Sequence, residues 1–367
     1  MTKPMFDAAL QMQTAAVDQM LKGWQRALAW PKVVDHATHV RVGTTPHDVV
    51  YEEDTLKLLH YRNEYGVKYR EAILICYALV NRPYILDLQP GRSVVEQMLK
   101  GGFDVYLIDW GVPTAADRSL RLEDYVGGLM KNVADFVRQM AGGIAPHLFG
   151  YCMGGTMSAM FAALYPELVH TLALMAAPID FSGDECLLHL WTQEKYFDVD
   201  KLIDAYGNCP APLLQGSFQM MKPVANYVEK YLTFSENMHH DGYLENFFAM
   251  EKWGQDNIPV AGETFRQFVK CLYQRNQLAN GQFRLNNVPV DLKRITCPIL
   301  LLTADADHLV LPTSTLAAQW LVGSTDVKAM NLRAGHVGLA VSSKAHRQFW
   351  PEAVRWLASK STMKDER

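Results

Sequence analysis

The sequence predicts an α/β protein built on a mostly parallel sheet, and three observations predict it. From about residue 50, short apolar runs alternate with helically periodic segments, as expected of strands buried on both faces by crossover helices. That rhythm breaks between Asp180 and Lys293, where an aromatic-rich stretch lacks strand-like alternation. No repeat, low-complexity tract or Pro/Ser-rich linker divides the 367 residues into independent parts.

Taken in order, Phe6, Leu10, Val17, Leu21, Trp24 and Leu28 fall on one helical stripe, so residues 1–40 read as an N-terminal helical segment covering its own domain. Strands are expected at 72–80 (AILICYALV), 103–110 (FDVYLIDW), 147–150 (HLFG), 171–178 (TLALMAAP), 297–304 (CPILLLTA) and 326–332 (DVKAMNL). Between the second and third of these, Leu122, Tyr125, Val126, Leu129, Val133, Phe136, Val137 and Met140 mark an amphipathic helix. Residues 41–180 and 294–367 therefore read as the core. The interval 181–293 reads as an inserted, mainly helical cap, with aromatics from Trp191 to Trp253.

Composition narrows the function. A chain that is 49% hydrophobic can bury a sizeable core, and a net charge of −4 with mixed signs gives no reason to expect nucleic acid or an anionic membrane as partner. No apolar run is long enough to span a membrane, and MTKPMFDAAL lacks the parts of a signal peptide, so a cytoplasmic protein is expected. The six cysteines (Cys76, Cys152, Cys186, Cys209, Cys271 and Cys297) lie far apart without C-x-x-C spacing and read as free thiols. Adjacent His239 and His240 have no carboxylate cluster beside them, so no metal is expected; nor is there a Gly-rich phosphate loop.

One short motif carries chemistry. Gly150-Tyr151-Cys152-Met153-Gly154 sits where an apolar strand turns into a helix, the nucleophile-elbow pattern with sulfur in place of serine oxygen. The turn is tight enough that side chains two before and two after the nucleophile would collide with backbone, which demands glycine at both. At average glycine usage, chance would flank a cysteine this way roughly 0.03 times in such a chain. A thiol is only slightly ionised at neutral pH, so it needs a base or a local positive field; the N-terminus of the following helix supplies part of the field.

Of twelve histidines, His336 in RAGHVGLA follows the last apolar strand in a Gly-flanked loop, and is the expected base. Asp305 and Asp307 in TADADHLVLP follow the preceding strand; Asp307, farther past the strand end, is chosen to orient the ring. Cys152, Asp307 and His336 then occur in the chain order of an α/β-hydrolase triad. An oxyanion would be held by the N–H of Met153 and a second N–H from the loop after the first strand, that of Val80 or Asn81, with Arg82-Pro83 fixing the turn. His308 and Asn81 are expected to support these groups from behind. Asp109-Trp110-Gly111 also ends a strand at the same sheet edge, where sites collect.

With these residues in view, the chain resembles the polyhydroxyalkanoate synthases, cysteine-dependent α/β-hydrolase-fold enzymes that polymerise 3-hydroxyacyl-CoA thioesters. The resemblance runs from TPHDVVYEEDTLKLLHY at 45–61 to WPEAVRWL at 350–357. It rests on YALVNRPYILDLQPGRS, DVYLIDWGVP, GYCMGGT, GETFRQFVKCLYQRNQL, DLKRITCPIL, DADHLVLP and AGHVGLAVSSKA. It implies the α/β-hydrolase fold, a Cys152, Asp307 and His336 triad, no cofactor beyond the CoA thioester, and a short-chain substrate such as 3-hydroxybutyryl-CoA. The chain length resembles the catalytic subunit of the two-subunit synthases. That implies a small helical accessory subunit, a homodimer, and a location at the surface of polyester granules. One departure is Ala304-Asp305-Ala306, where relatives carry glycine before the acid.

Two other readings compete. A cysteine hydrolase on the same fold, a polyester depolymerase or thioesterase, would use the same triad to transfer the acyl group to water. A non-catalytic granule-surface scaffold would have no use for an intact triad.

Overall fold

The structure is a computed structural model, and it describes residues 20, 23, 28–183 and 186–364. Most of the N-terminal stripe proposed above therefore lies outside the described residues. The chain divides into two compact units, one of residues 43–215 and 256–367 and a smaller one of residues 1–42 and 216–255.

The larger unit is organised by an eight-stranded sheet. In chain order the strands are β1 (His47–Glu53), β2 (Leu56–Tyr61), β3 (Ile73–Cys76), β4 (Asp87–Gln89), β5 (Arg92–Ser93), β6 (Val105–Asp109), β7 (His147–Tyr151), β8 (Thr171–Met175), β9 (Arg284–Leu285), β10 (Val288–Pro289), β11 (Ile299–Ala304) and β12 (Val327–Leu332). The main sheet has the order β1-β2-β6-β3-β7-β8-β11-β12, while β4-β5 and β9-β10 form small hairpins. From β6 to β12 every pairing in this sheet is parallel; β1 and β2 are antiparallel additions at one edge.

All six strands expected from apolar runs are present; five are shorter than their runs, and β7 extends one residue beyond its run, to Tyr151. Every residue of β3, β7, β8 and β11 is buried, which is why these segments are continuously apolar rather than alternating. The two edge strands β1 and β2 are an addition to the expected set. Their sequences, HDVVYEE and LKLLHY, mix charge with apolar residues because β1 is largely exposed and β2 buries Leu56, Leu58 and Tyr61 while leaving Lys57 exposed.

The helix Met153–Leu164 is buried from Met153 through Ala163, and its run of Gly, Ala, Ser, Met and Thr suits close packing against the sheet. The helix expected near Leu122 begins as a π-helical turn, Asp124–Leu129, and continues as Met130–Met140; it buries Tyr125, Val126, Leu129, Val133 and Val137, and exposes Met140. Further π turns in this unit are Phe268–Gln274 and Ala345–Phe349. Between residues 186 and 293 the unit carries the helices Leu187–Thr192, Val199–Tyr206 and Gly262–Gln267 and the β9-β10 hairpin.

The smaller unit is helical. Its helix over 28–39 buries Ala29 and Val33 against Met238 and Leu244, with Phe234 and Phe248 packed alongside. Lys32 pairs with Asp241 at 3.0 Å and Lys230 with Glu251 at 2.9 Å on its surface. Exposed ion pairs of this kind contribute little, so the buried apolar contacts carry the stability. Among the described residues no helix is long and apolar enough to cross a membrane.

Candidate active site

Parallel register delivers the candidate residues to one edge of the sheet. Tyr151 at the end of β7 pairs with Met175, Ala304 at the end of β11 pairs with Leu332, and Cys76 at the end of β3 pairs with Gly150. The loops leaving β3, β7, β11 and β12 therefore emerge side by side, where open α/β sheets build their sites.

Cys152 stands on the turn between β7 and the helix Met153–Leu164 with φ 55 and ψ −129, a left-handed conformation rare for a residue with a side chain. The strain is over-determined by its surroundings. Cys152 N–H donates to Met175 O at 2.9 Å, and its own carbonyl accepts from Gly155 N at 2.8 Å. The flanking glycines are sterically required: a Cβ on Gly150 would lie 2.5 Å from Gly155 Cα, and one on Gly154 would lie 2.5 Å from Tyr77 O. The expectation that glycine is demanded at both positions agrees with these close approaches.

His336 and Asp307 form a buried pair. His336 Nδ1–H donates to Asp307 Oδ2 at 2.7 Å, and Asp307 Oδ1 accepts from the N–H groups of Leu309 and Val310 at 2.8 and 2.9 Å. These bonds use both carboxylate oxygens, so the acid is fixed from two sides and compensated despite full burial of its side chain. Asp305, the alternative acid, is exposed, and its N–H instead extends the ladder to Leu332 O at 3.1 Å. Burial opposes a charged His336, but charges on Cys152 and Asp307 and hydrogen bonds to both outweigh it and push the imidazole up to about 10. The thiol and imidazole are thus within hydrogen-bonding reach, so the ring is placed to exchange a proton with the sulfur.

Aromatic rings enclose the pair. Tyr151 stacks on His336 with centroids 5.1 Å apart, and its hydroxyl donates to His336 O at 3.3 Å. Tyr77 lies 5.7 Å from Tyr151, centroid to centroid. Burial first, and then the nearby Cys152 charge, among others, hold the phenols of Tyr77 and Tyr273 well above the usual range. Tyr77, Tyr151 and Tyr273 were not singled out by sequence reasoning; only Tyr151, adjacent to the cysteine, carried a positional signal.

Met153 opens its helix, where N–H groups have no intrahelical acceptor. The loop after β3 crosses this helix start, since the backbone of Cys76 and Tyr77 occupies the space beside Gly154. Trp110 Nε1–H pins that loop by donating to Tyr77 O at 2.9 Å. Val80 follows within the same loop, and Asn81 turns the chain with φ 62; the buried Asn81 Oδ1 has no hydrogen-bond partner. His308 follows the acid directly, and its carbonyl accepts from the Cys186 thiol at 3.6 Å. Asp109-Trp110-Gly111 forms a turn in which Gly111, at φ 73, presses on the backbone of Thr55.

The remaining thiols contrast with Cys152. All six cysteines are free. Burial pushes Cys76 and Cys209 up to about 12 and Cys297 up to about 11, leaving them protonated near neutral pH. His147 is a satisfied core histidine between Thr171 Oγ1 and Ser361 Oγ, each at 2.8 Å, and burial, aided by His170, lowers it to about 3.

Comparison with known proteins agrees with this geometry. Residues 71–207 match the α/β hydrolase fold family, and residues 25–98 match the family described as the N-terminus of poly-beta-hydroxybutyrate polymerase (PhaC). The chain is 44% identical to the poly(3-hydroxyalkanoate) polymerase subunit PhaC of Haloferax mediterranei, covering 96% of this chain and 72% of that protein. It is 40% identical to the protein of the same name from Allochromatium vinosum, covering 88% of this chain and 91% of the relative. Among solved structures, a putative lipase from Sulfolobus solfataricus superposes with a TM-score of 0.54 at 15% identity, over 86% of this chain and 99% of the lipase, which shows the fold alone. With 40–44% identity over most of this chain and 72% or more of each relative, the chain belongs to the PhaC family of poly(3-hydroxyalkanoate) polymerase subunits.

Proposed function

We propose that this protein polymerises 3-hydroxyacyl-CoA thioesters, short-chain ones such as 3-hydroxybutyryl-CoA, into polyhydroxyalkanoate with release of CoA. The observation that carries the reading is the strained Cys152 at a strand end beside the buried His336–Asp307 pair, in a chain of the PhaC family.

The chemistry follows from these groups. His336 takes the Cys152 proton, and the thiolate attacks the thioester carbonyl. The oxyanion that forms is held by the N–H groups of Met153 and Val80. It collapses with cleavage of the bond to CoA sulfur, whose thiolate takes the proton back from His336, leaving an acyl-Cys152 thioester. The 3-hydroxyl of a second acyl group or chain end then attacks that carbonyl while His336 accepts its proton. The bond to Cys152 sulfur breaks, an ester bond forms, and the thiol is restored. Asp307 holds the ring tautomer and offsets the imidazolium charge. His308 and Asn81 support the two loops. Water must be excluded, because it would turn the same intermediate into free acid. Phe181, Phe268 and Tyr273, from the 181–293 interval that we read as the cap, supply apolar cover; ring centroids lie 5.0 Å apart for Phe181–Tyr273 and 5.9 Å for Phe268–Tyr273.

The naming of relatives as a polymerase subunit supports a second chain, which we take to be a small helical accessory protein; the working form is a homodimer at the surface of cytoplasmic polyester granules. The test is CoA release from 3-hydroxybutyryl-CoA by wild type and Cys152→Ala, with and without a co-expressed accessory subunit, while recovering the acyl product. Thiol release lost in the variant and matched by insoluble polyester supports the polymerase. Release matched by free 3-hydroxybutyrate overturns it in favour of a hydrolase.

A further inference from the structure

A cavity of about 100 Å³ adjoins the candidate site and is lined by Tyr273, Cys186, His189, Leu309, Leu311 and Thr313, among others. Two of its walls belong to the machinery already described. Leu309 follows the acid loop and donates its N–H to Asp307, and the phenol of Tyr273 feels the charges of both Cys152 and Cys186. Tyr273 therefore lies on the cavity wall and within electrostatic range of the nucleophile.

The ring of Tyr273 is held in place without using its hydroxyl. Phe181 and His189 meet it edge to face at 5.0 and 5.3 Å. Such contacts fix a ring's orientation. Among the described residues no group hydrogen-bonds the Tyr273 hydroxyl. A rigidly held hydroxyl with no partner among the described residues, at the border of a cavity, is a pre-organised ligand contact.

Size and lining limit the occupant. An apolar cavity of about 150 Å³ accommodates benzene, with its six carbons, so this one has room for about four heavy atoms. Leu309, Val310 and Leu311 give an apolar wall that suits a short hydrocarbon, and Tyr273 stands with Asp180, Ser182 and His189 on the polar side of the lining.

Resting on the polymerase reading, we infer that this cavity holds the alkyl end of the acyl group and that the Tyr273 hydroxyl hydrogen-bonds the substrate's 3-hydroxyl, so that one pocket selects both a short chain and a 3-hydroxyacyl group. The chemistry of selection is asymmetric. A site built to bond a hydroxyl discriminates strongly against an analogue without one, whereas each extra methylene in an apolar pocket changes specificity by about tenfold or more.

The test compares kcat/KM for CoA release across thioesters in the full-length protein, with its accessory subunit where activity requires one. Tyr273→Phe is expected to lower the preference for 3-hydroxybutyryl-CoA over butyryl-CoA by about tenfold or more. Leu311→Ala enlarges the cavity, and is expected to raise the preference for 3-hydroxyhexanoyl-CoA over 3-hydroxybutyryl-CoA by about tenfold. The two variants act on different walls, and Tyr273→Phe removes only a hydroxyl with no partner among the described residues, so a folding failure in Leu311→Ala leaves the first comparison intact. Wild-type activity with both ratios within about twofold of wild type in the variants overturns the pocket and leaves the polymerase standing. No CoA release by the wild type from any of these thioesters overturns both.

Discussion

Tyr151 lies nearly parallel to His336, the ring planes 23° apart, and its hydroxyl reaches the histidine carbonyl at 3.3 Å. The residue before the nucleophile thus braces the base from a different loop, linking the ends of β7 and β12. Tyr151→Phe keeps the stack and is expected to retain CoA release within about threefold, since it forfeits one net hydrogen bond of about 1 kcal/mol. Tyr151→Ala should lose about 3–5 kcal/mol of stability, as large-to-small aromatic changes in cores do. Chemical denaturation and CoA-release assays on both variants check the pair, and equal effects would reject the bracing role.

Asp307→Asn is expected to fold and to release CoA about 10³- to 10⁴-fold more slowly, by analogy with other triads in which an amide replaces the acid. The mechanism is specific. The amide oxygen can take over the bonds from the N–H groups of Leu309 and Val310, which leaves an NH₂ group facing His336 Nδ1 and selects the wrong tautomer. Single-turnover CoA release combined with a thermal melt separates this effect from unfolding.

Stability should also follow the titration of His336, raised to about 10 in the folded protein. A group whose folded value is raised contributes stability that is fully present below its unfolded value, about 6.5, and is lost as pH rises through the folded one. Urea unfolding of wild type and His336→Gln should therefore give a stability difference that shrinks between pH 7 and pH 10. A constant difference over that range would rule out the raised His336 titration as its origin.

Glycines of one chain should answer alanine substitution in opposite ways. Gly154→Ala drives a methyl into the backbone of Cys76 and Tyr77, which cannot swing aside, and should cost about 3 kcal/mol or more. Gly128→Ala meets nothing within 4 Å in its helical turn and should be neutral or stabilising by up to about 1 kcal/mol. Differential scanning calorimetry of the two variants reads the contrast directly.

Strands buried on both faces were legible in the sequence because burial makes them uniformly apolar, as in ILIC of β3 and TLALM of β8. β1 escaped the periodicity reading because a largely exposed edge tolerates Asp48, Glu52 and Glu53, and only the family resemblance marked that region. Cys152 was legible because the elbow constrains its neighbours to glycine. Asp307 was legible from its place farther past the strand end, and two residues of loop path separate it, buried, from the exposed Asp305. Tyr273 left no local trace, since its relation to Cys152 arises only when a distant helical segment folds back onto the sheet. The division at residues 216 and 255 was likewise invisible, because the helices on either side have similar composition.

Tyr273 sits within the π-helical turn Phe268–Gln274, and that places its direction under the control of chain length. A π turn carries one residue more than the α-helical register needs, and such turns recur at functional sites. Removing a single residue from it would return the turn to ordinary α-helical hydrogen bonding and re-aim the side chains within it, Tyr273 among them. The wall beside the thiol would then be rebuilt in one genetic event, a single-codon deletion, with the triad untouched. Insertions and deletions in this short turn are therefore a direct route by which related chains can diverge in the acyl groups they accept.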